Sequence, residues 1–285
     1  MNSKNKNINL SINCNGKLVD LNTPKVMGVL NITPDSFYDG GRYKDAKSIL
    51  NQTEKLISEG ATFIDIGAYS SRPGADFISE NEELQRIVPV VELIQKKNPD
   101  VLISVDSFRA KVIRECVSAG AVISNDISAG KLDPDMIKTV GELGVPYIMM
   151  HMRGTPQTMS NHITYKHLIN EIYAYFSKQI ELARQHNITD IIIDPGFGFA
   201  KTLAQNYELL KQMEFFKNLN CPILTGVSRK SMIYKVLGCT ANEALNGTTA
   251  LNMVALMNGA CILRVHDVRS RGVHQTVQST LMVLH

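Results

Sequence analysis

The feature that most constrains the fold is an alternation repeated along nearly the whole chain. Short apolar runs, too brief for helices, are each separated from the next by a longer stretch with apolar residues at helical spacing. The runs are Lys25 to Leu30, Thr62 to Ile66, Val101 to Val105, Val122 to Ser124, Tyr147 to Met150, Asp190 to Ile193, Pro222 to Thr225 and Cys261 to Val265. Continuous apolar runs of this length suit parallel strands covered on both faces, and parallel strands need a long crossover between them, usually a helix. Eight such units in 285 residues predict an α/β protein built as one (β/α)8 barrel of the TIM type, with residues 1–285 forming a single domain. A doubly wound open sheet is the rival, but the first strand is not followed by a G-x-G-x-x-G turn.

Local punctuation supports this reading. Asn15-Gly16 between two short alternating runs predicts a tight hairpin, so residues 1–24 are expected to form an extension that closes one barrel end. Ser79 with Glu82 three residues on predicts a capping box, and Gly60, Gly120, Gly144 and Gly259 follow helical patterns as end signals. Lys166 to Gln185 and Thr202 to Phe216 have the spacing of amphipathic helices, while Pro89 sits inside a periodic segment and is expected to kink it.

Nearly every apolar run ends in a polar residue: Asn31, Asp65, Asp106, Asn125, His151, Asp194 and His266. In a barrel that end is the active-site face, so these groups are expected to converge on one ligand. A buried carboxylate must be paired, ligand-bound or protonated. Grouping Asp65, Asp106 and Asp194 therefore suits a planar heterocycle rich in N–H donors, or a divalent metal; each Asp taken singly is also a candidate helix cap.

Ser228-Arg229-Lys230-Ser231 after the seventh strand opens a helix where backbone N–H groups favour an anion, and Arg264 and His266 reach the same rim from the eighth. The bland alternatives are a solvated helix start and a hydrogen-bonded structural histidine. The segments Asp35 to Gly41, Ser70 to Gly74 and Asp194 to Phe199 read as turns or as lids, with aromatics able to wall a flat ligand. Met149, Met150 and Met152 read as core or pocket filler.

Charge and cysteines exclude other classes. Thirty Lys plus Arg against 27 Asp plus Glu give a formal +3, no broad field for nucleic acid or an anionic membrane. The cysteines (Cys14, Cys116, Cys221, Cys239 and Cys261) have no zinc-site or redox spacing. No apolar run approaches the roughly 18 residues that span a bilayer, and the polar start has no signal-like segment, so a cytoplasmic protein with reduced thiols is expected.

From about Val26 to Val268 the motifs resemble, in order and spacing, those of the dihydropteroate synthases, a pterin-binding barrel family. The run Asn31 to Gly41 is similar to that family's first signature. Asp65 through Ala75, Asp106-Ser107, Asn125-Asp126, Met150-His151-Met152, Asp194 through Phe199, Ser228-Arg229-Lys230 and Arg264-Val265-His266-Asp267 are similar to the rest. The resemblance implies condensation of 6-hydroxymethyl-7,8-dihydropterin diphosphate with p-aminobenzoate, inhibition by sulfonamides and a homodimer formed through outer helices.

The same resemblance implies residue roles. Asp106, Asn125, Asp194 and Lys230 would hold the pterin, with Met150 lining its pocket and Arg264 stacked on its face. Asn31, Arg264 and His266 would hold the diphosphate, with Mg2+ beside Asn31. Ser71, Arg72, Pro73, Gly198, Phe199, Ser228 and Lys230 would surround the p-aminobenzoate. Asp35, Lys230, Arg264 and His266 would be the catalytic set, Asp35 shielding a cationic intermediate. Two departures stand out: Tyr69 replaces an acid of the second loop, and Ala200 stands where glycine is usual. The alternatives are a barrel that passes a methyl group from methyltetrahydrofolate to a corrinoid, which has no need of a diphosphate grip, and a non-catalytic pterin-binding protein.

Overall fold

The computed structural model describes residues 10–32, 42–69 and 78–268, and its first element is the expected hairpin. β1 (Ser11–Cys14) and β2 (Lys17–Asp20) pair antiparallel across Asn15 and Gly16, which both take positive φ (52° and 86°). Such a turn matches the strands' natural twist and suits an Asn-Gly pair.

Eight parallel strands follow and close into a barrel: β3 (Lys25–Asn31), β4 (Phe63–Gly67), β5 (Leu102–Asp106), β6 (Ile123–Asp126), β7 (Tyr147–Met150), β8 (Ile191–Asp194), β9 (Ile223–Thr225) and β10 (Ala260–Val265), with β10 returning to β3. Each predicted run is a strand. The runs before Asn31, Asp106, Asn125 and Asp194 continue into those polar residues, because ladder bonds are made by backbone and do not depend on an apolar side chain.

The crossovers are α1 (Arg42–Ser58), α2 (Glu80–Lys97), α3 (Ala110–Ser118), α4 (Met136–Leu143), α5 (Leu168–Gln185), α6 (Leu203–Gln212) and α7 (Ser231–Leu237), with α8 (Leu245–Met257) before the last strand. One local expectation changes. Ser79 Oγ accepts from the Glu82 amide at 3.2 Å, but the Glu82 carboxylate turns to Arg86, so the box is half formed. Pro89 lies inside α2, which runs unbroken from Glu80 to Lys97 with Ile87, Val90, Val91 and Ile94 buried.

A period of two positions the site. Met27, Phe63, Leu102, Ile123, Ile148, Ile192, Leu224 and Ile262 fill the barrel's lower interior and pack with Ile12, Cys14, Val19 and Leu21 of the hairpin region, which plug that end. The Asp190 carboxylate accepts from the Asn13 amide at 2.8 Å and fastens the plug. Residues two and four further along a strand share its face. Above this apolar floor the strands therefore present Asn31, Asp65, Ser104 and Asp106, Asn125, Met150, Asp194, Gly226, and Arg264. Odd-phase residues such as Ile64, Ile66, Ile103 and Ile193 pack outward with the helices.

Candidate active site

Arg264 organises the mouth. Its Nε donates to Asp65 Oδ2 at 2.6 Å and its Nη2 to Asp106 Oδ2 at 2.8 Å, so one guanidinium bridges β10, β4 and β5. Asp65 lies in mid-strand, not at the strand end where its sequence position suggested, one layer below the rim. It is fully buried and receives Ser104 Oγ at 2.6 Å and Asn125 Nδ2 at 3.3 and 3.1 Å. Protein donors thus satisfy Asp65, which becomes the base of the clasp and not a ligand group.

One cation facing two carboxylates cannot fully offset both. Arg264 is held firmly charged, because Asp65 and Asp106 outweigh the cost of its burial. Burial, with the Asp65 charge behind it, pushes Asp106 up despite the arginine. Asp106 is the more weakly served member, and its side chain keeps 17 % exposure toward the mouth.

A second ion group sits beside it. Asp194, at the end of β8, accepts from the Gly196 amide at 2.8 Å, and burial raises its pKa while Lys230 opposes the rise. Lys230 caps α7, donates to the Phe197 carbonyl and lies 4.9 Å from the Phe199 ring centre. Burial lowers its pKa to about 8, against the pull of Asp194. A Cβ on Gly226 would be 3.9 Å from Lys230 Nζ, which places this lysine over the end of β9.

The rim between β9 and β10 is joined by Ser228 and His266. Ser228 Oγ accepts from the His266 amide at 3.2 Å and lies 3.1 Å from its Nδ1. Arg229 takes a different part from its neighbours. It binds both oxygens of Asp267, at 2.8 and 2.6 Å, and Asn242 at 2.9 Å, so it fastens the loop and does not face an anion. Met150 is buried in an apolar cluster with Ile127, Met152, Met159 and Ala200, against which Phe199 packs. Asn31 is half-buried at the end of β3, and Gly198 is exposed.

Three expectations need correction or placement. His151 is 1 % exposed, with its ring 4.8 Å from that of Tyr175 and its Nδ1 against Lys201, so it supports the mouth from behind. Phe197 is core filling and leaves Phe199 as the aromatic available to a ligand. Asp35, Ser71, Arg72 and Pro73 lie outside the described residues. Sequence reasoning missed Lys201, buried among carbonyls of the β8–α6 loop; its signal was a lysine directly after a glycine- and phenylalanine-rich turn.

The family model for pterin binding enzymes matches residues 27–266, a range that reaches into all eight strands of the barrel. Dihydropteroate synthase of Escherichia coli K12 is 44 % identical over 256 residues, covering 89 % of this chain and 90 % of that protein. The chain belongs to the dihydropteroate synthase family. The family member from Haemophilus influenzae is 42 % identical over 261 residues, covering 91 % and 94 % of the two chains. Among solved members, the Yersinia pestis dihydropteroate synthase in a sulfonamide drug complex superposes with a TM-score of 0.89 at 39 % identity, covering 96 % of this chain and all of that one. The Xanthomonas albilineans dihydropteroate synthase with 4-aminobenzoic acid gives 0.88 at 34 % identity, covering 96 % and 98 %. In this family context the bridged carboxylates and the Lys230 group occupy the face where barrel enzymes bind substrate. No helix among the described residues is long and apolar enough to cross a membrane.

Proposed function

We infer that this chain condenses 6-hydroxymethyl-7,8-dihydropterin diphosphate with p-aminobenzoate, giving 7,8-dihydropteroate and diphosphate. The observation that carries the reading is the Asp65–Arg264–Asp106 clasp opening beside Asp194 and Lys230 at a single mouth. Acceptors on Asp106, Asn125 and Asp194 match the N–H edge of a pterin. Lys230 adds a donor, Met150 an apolar wall and Arg264 a planar cation for the ring face.

The diphosphate is assigned to Asn31, Arg264 and His266. The described residues hold no cluster of three or more His, Cys, Asp or Glu side chains fit for a metal, and Asn31 supplies one neutral hard oxygen. Such a donor set fits Mg2+ that arrives on phosphate oxygens and keeps much of its water. Bound there, Mg2+ would neutralise charge on the leaving group.

Departure of diphosphate breaks the methylene C–O bond and leaves a cation stabilised by the electron-rich ring. Arg264 and His266 stabilise the departing anion. The neutral arylamine then forms the C–N bond and afterwards gives up its proton to water or diphosphate, so the site needs no strong base. Phe199, Gly198, Ser228 and Lys230, with Ser71, Arg72 and Pro73 from the second loop, are the groups assigned to p-aminobenzoate. Asp35 is assigned to shield the cation.

Asp35→Asn is accordingly expected to lower kcat about 30-fold, the effect of roughly 2 kcal/mol of lost attraction, with dihydropterin binding nearly unchanged. Equal weakening of turnover and binding would reject that role. The function itself is tested by mixing both substrates with Mg2+ and following dihydropteroate and diphosphate. Pterin binding without product at saturating p-aminobenzoate would favour a non-catalytic binder.

We also propose a homodimer. Val236 and Leu237 at the end of α7, and Val254 and Met257 one helical turn apart on α8, are exposed large apolar residues on consecutive helices. Val254→Arg with Met257→Arg is expected to reduce the sedimenting mass from two chains to one; an unchanged dimer would place the interface elsewhere.

A further inference from the structure

Behind the mouth, Lys201 holds the loop between β8 and α6 from inside. Its Nζ donates to the carbonyls of Gly196 at 2.9 Å and Phe199 at 3.0 Å, and lies 3.1 Å from His151 Nδ1. Three partners match the three protons of an ammonium. The residue is 9 % exposed, and burial lowers its pKa to about 7 against the pull of Asp194. His151 is kept neutral by its own burial and by the adjacent lysine, which leaves Nδ1 able to accept.

The loop around this ammonium has little freedom. Gly196, Gly198 and Ala200 all have positive φ (72°, 81° and 48°). A Cβ on Gly196 would stand 2.0 Å from the His151 carbonyl oxygen, so the β7 and β8 ends are in close contact there. The Gly198 amide is tied to Asn206 Oδ1 at 2.7 Å, and Tyr165 Oη donates to the Ala200 carbonyl at 3.0 Å. The Phe199 carbonyl is bound by Lys201 while the Phe199 ring faces Lys230, so the backbone held by one lysine carries the ring placed against the other.

We propose that Lys201 is a positioning residue for the arylamine half of the site, fixing the Gly196–Phe199 turn so that Phe199 and Lys230 form one wall. This rests on the p-aminobenzoate reading above. The pterin half should depend on it less, because Asp106, Asn125 and Arg264 stand on strands that Lys201 does not touch, which leaves Asp194, bound by the Gly196 amide, and Met150, next to His151, as the pterin groups nearest the lysine.

Lys201→Met leaves a buried carbonyl without its donor. KM for p-aminobenzoate is expected to rise roughly 10-fold or more, while Kd for dihydropterin diphosphate, measured by calorimetry, moves less than about threefold. The decisive comparison is a double-mutant cycle. Phe199→Ala alone should raise the same KM, and adding Lys201→Met should then raise it by less than about twofold, because the lysine acts through that residue. If Lys201→Met does not accumulate as folded protein, the cycle is run with Lys201→Gln, which keeps two donors. Independent, fully multiplicative effects, or equal losses on both substrates, would overturn the proposal. Failure of the wild-type chain to make dihydropteroate would instead remove the reading of function on which it stands.

Discussion

Arg264→Met is expected to lower kcat/KM for dihydropterin diphosphate by about 1,000-fold and to destabilise the fold by about 3–5 kcal/mol, the usual cost of removing one partner from a buried charge pair. The two losses have one origin. Arg264 is the cation between Asp65 and Asp106, and its removal leaves two carboxylates close together in a buried floor. Ser104 and Asn125 still bond Asp65, so the barrel should survive. Among the described residues the arginine is the donor to Asp106, so Asp106 should protonate at higher pH in the variant, presenting an O–H where a pterin N–H needs an acceptor. Arg264→Lys separates charge from geometry. A single ammonium cannot bridge both aspartates as a planar fork does, so about 100-fold of the loss should persist. Steady-state kinetics and thermal unfolding of the two variants check this. Wild-type kcat/KM in Arg264→Met would show that the clasp is a structural ion pair with no part in catalysis.

The barrel was legible because its rule is periodic. Each buried strand wrote itself as an apolar run, and the polar residue after it marked the face of the barrel that binds ligand. The depth of those residues was not legible in the same way. Asp65 and Asp106 read alike as strand-end acids, yet β4 begins at Phe63 and β5 at Leu102, so the same two-residue steps raise Asp106 one layer higher than Asp65. The parallel register, pairing Asp65 with Ser104 and Asp106 with Asn125, sets that difference. Neither charge nor spacing in the sequence states a register.

The same limit hid the division of labour among basic residues. Arg229 and Lys230 are adjacent in sequence, but Arg229 takes a positive φ of 55° and turns outward to Asp267, while Lys230 turns inward over Phe197 and Phe199. A left-handed residue at that point reverses which neighbour faces the mouth. Lys201 was obscured for another reason: a buried lysine held by two carbonyls and a ring nitrogen has the composition of an ordinary loop.

Lys230→Met is the second large effect expected, about 300-fold in kcat/KM, and it carries a distinct pH signature. Burial lowers the Lys230 pKa to about 8, so the ammonium is present below that pH and lost above it. Asp106 and Asp194 are displaced upward by burial, so the carboxylates that receive the pterin are lost as pH falls through their raised values. Because kcat/KM reports groups of the free enzyme, its profile should be a bell with an alkaline limb near pH 8. In Lys230→Met that limb should vanish. The acid limb should also move to higher pH, since Asp194 loses the cation that opposed its burial and its protonated form gains ground. The plateau should fall by two to three decades, equivalent to about 3–4 kcal/mol of transition-state stabilisation. An alkaline limb that persists near pH 8 in the variant would assign it to another group and deny Lys230 its charged role.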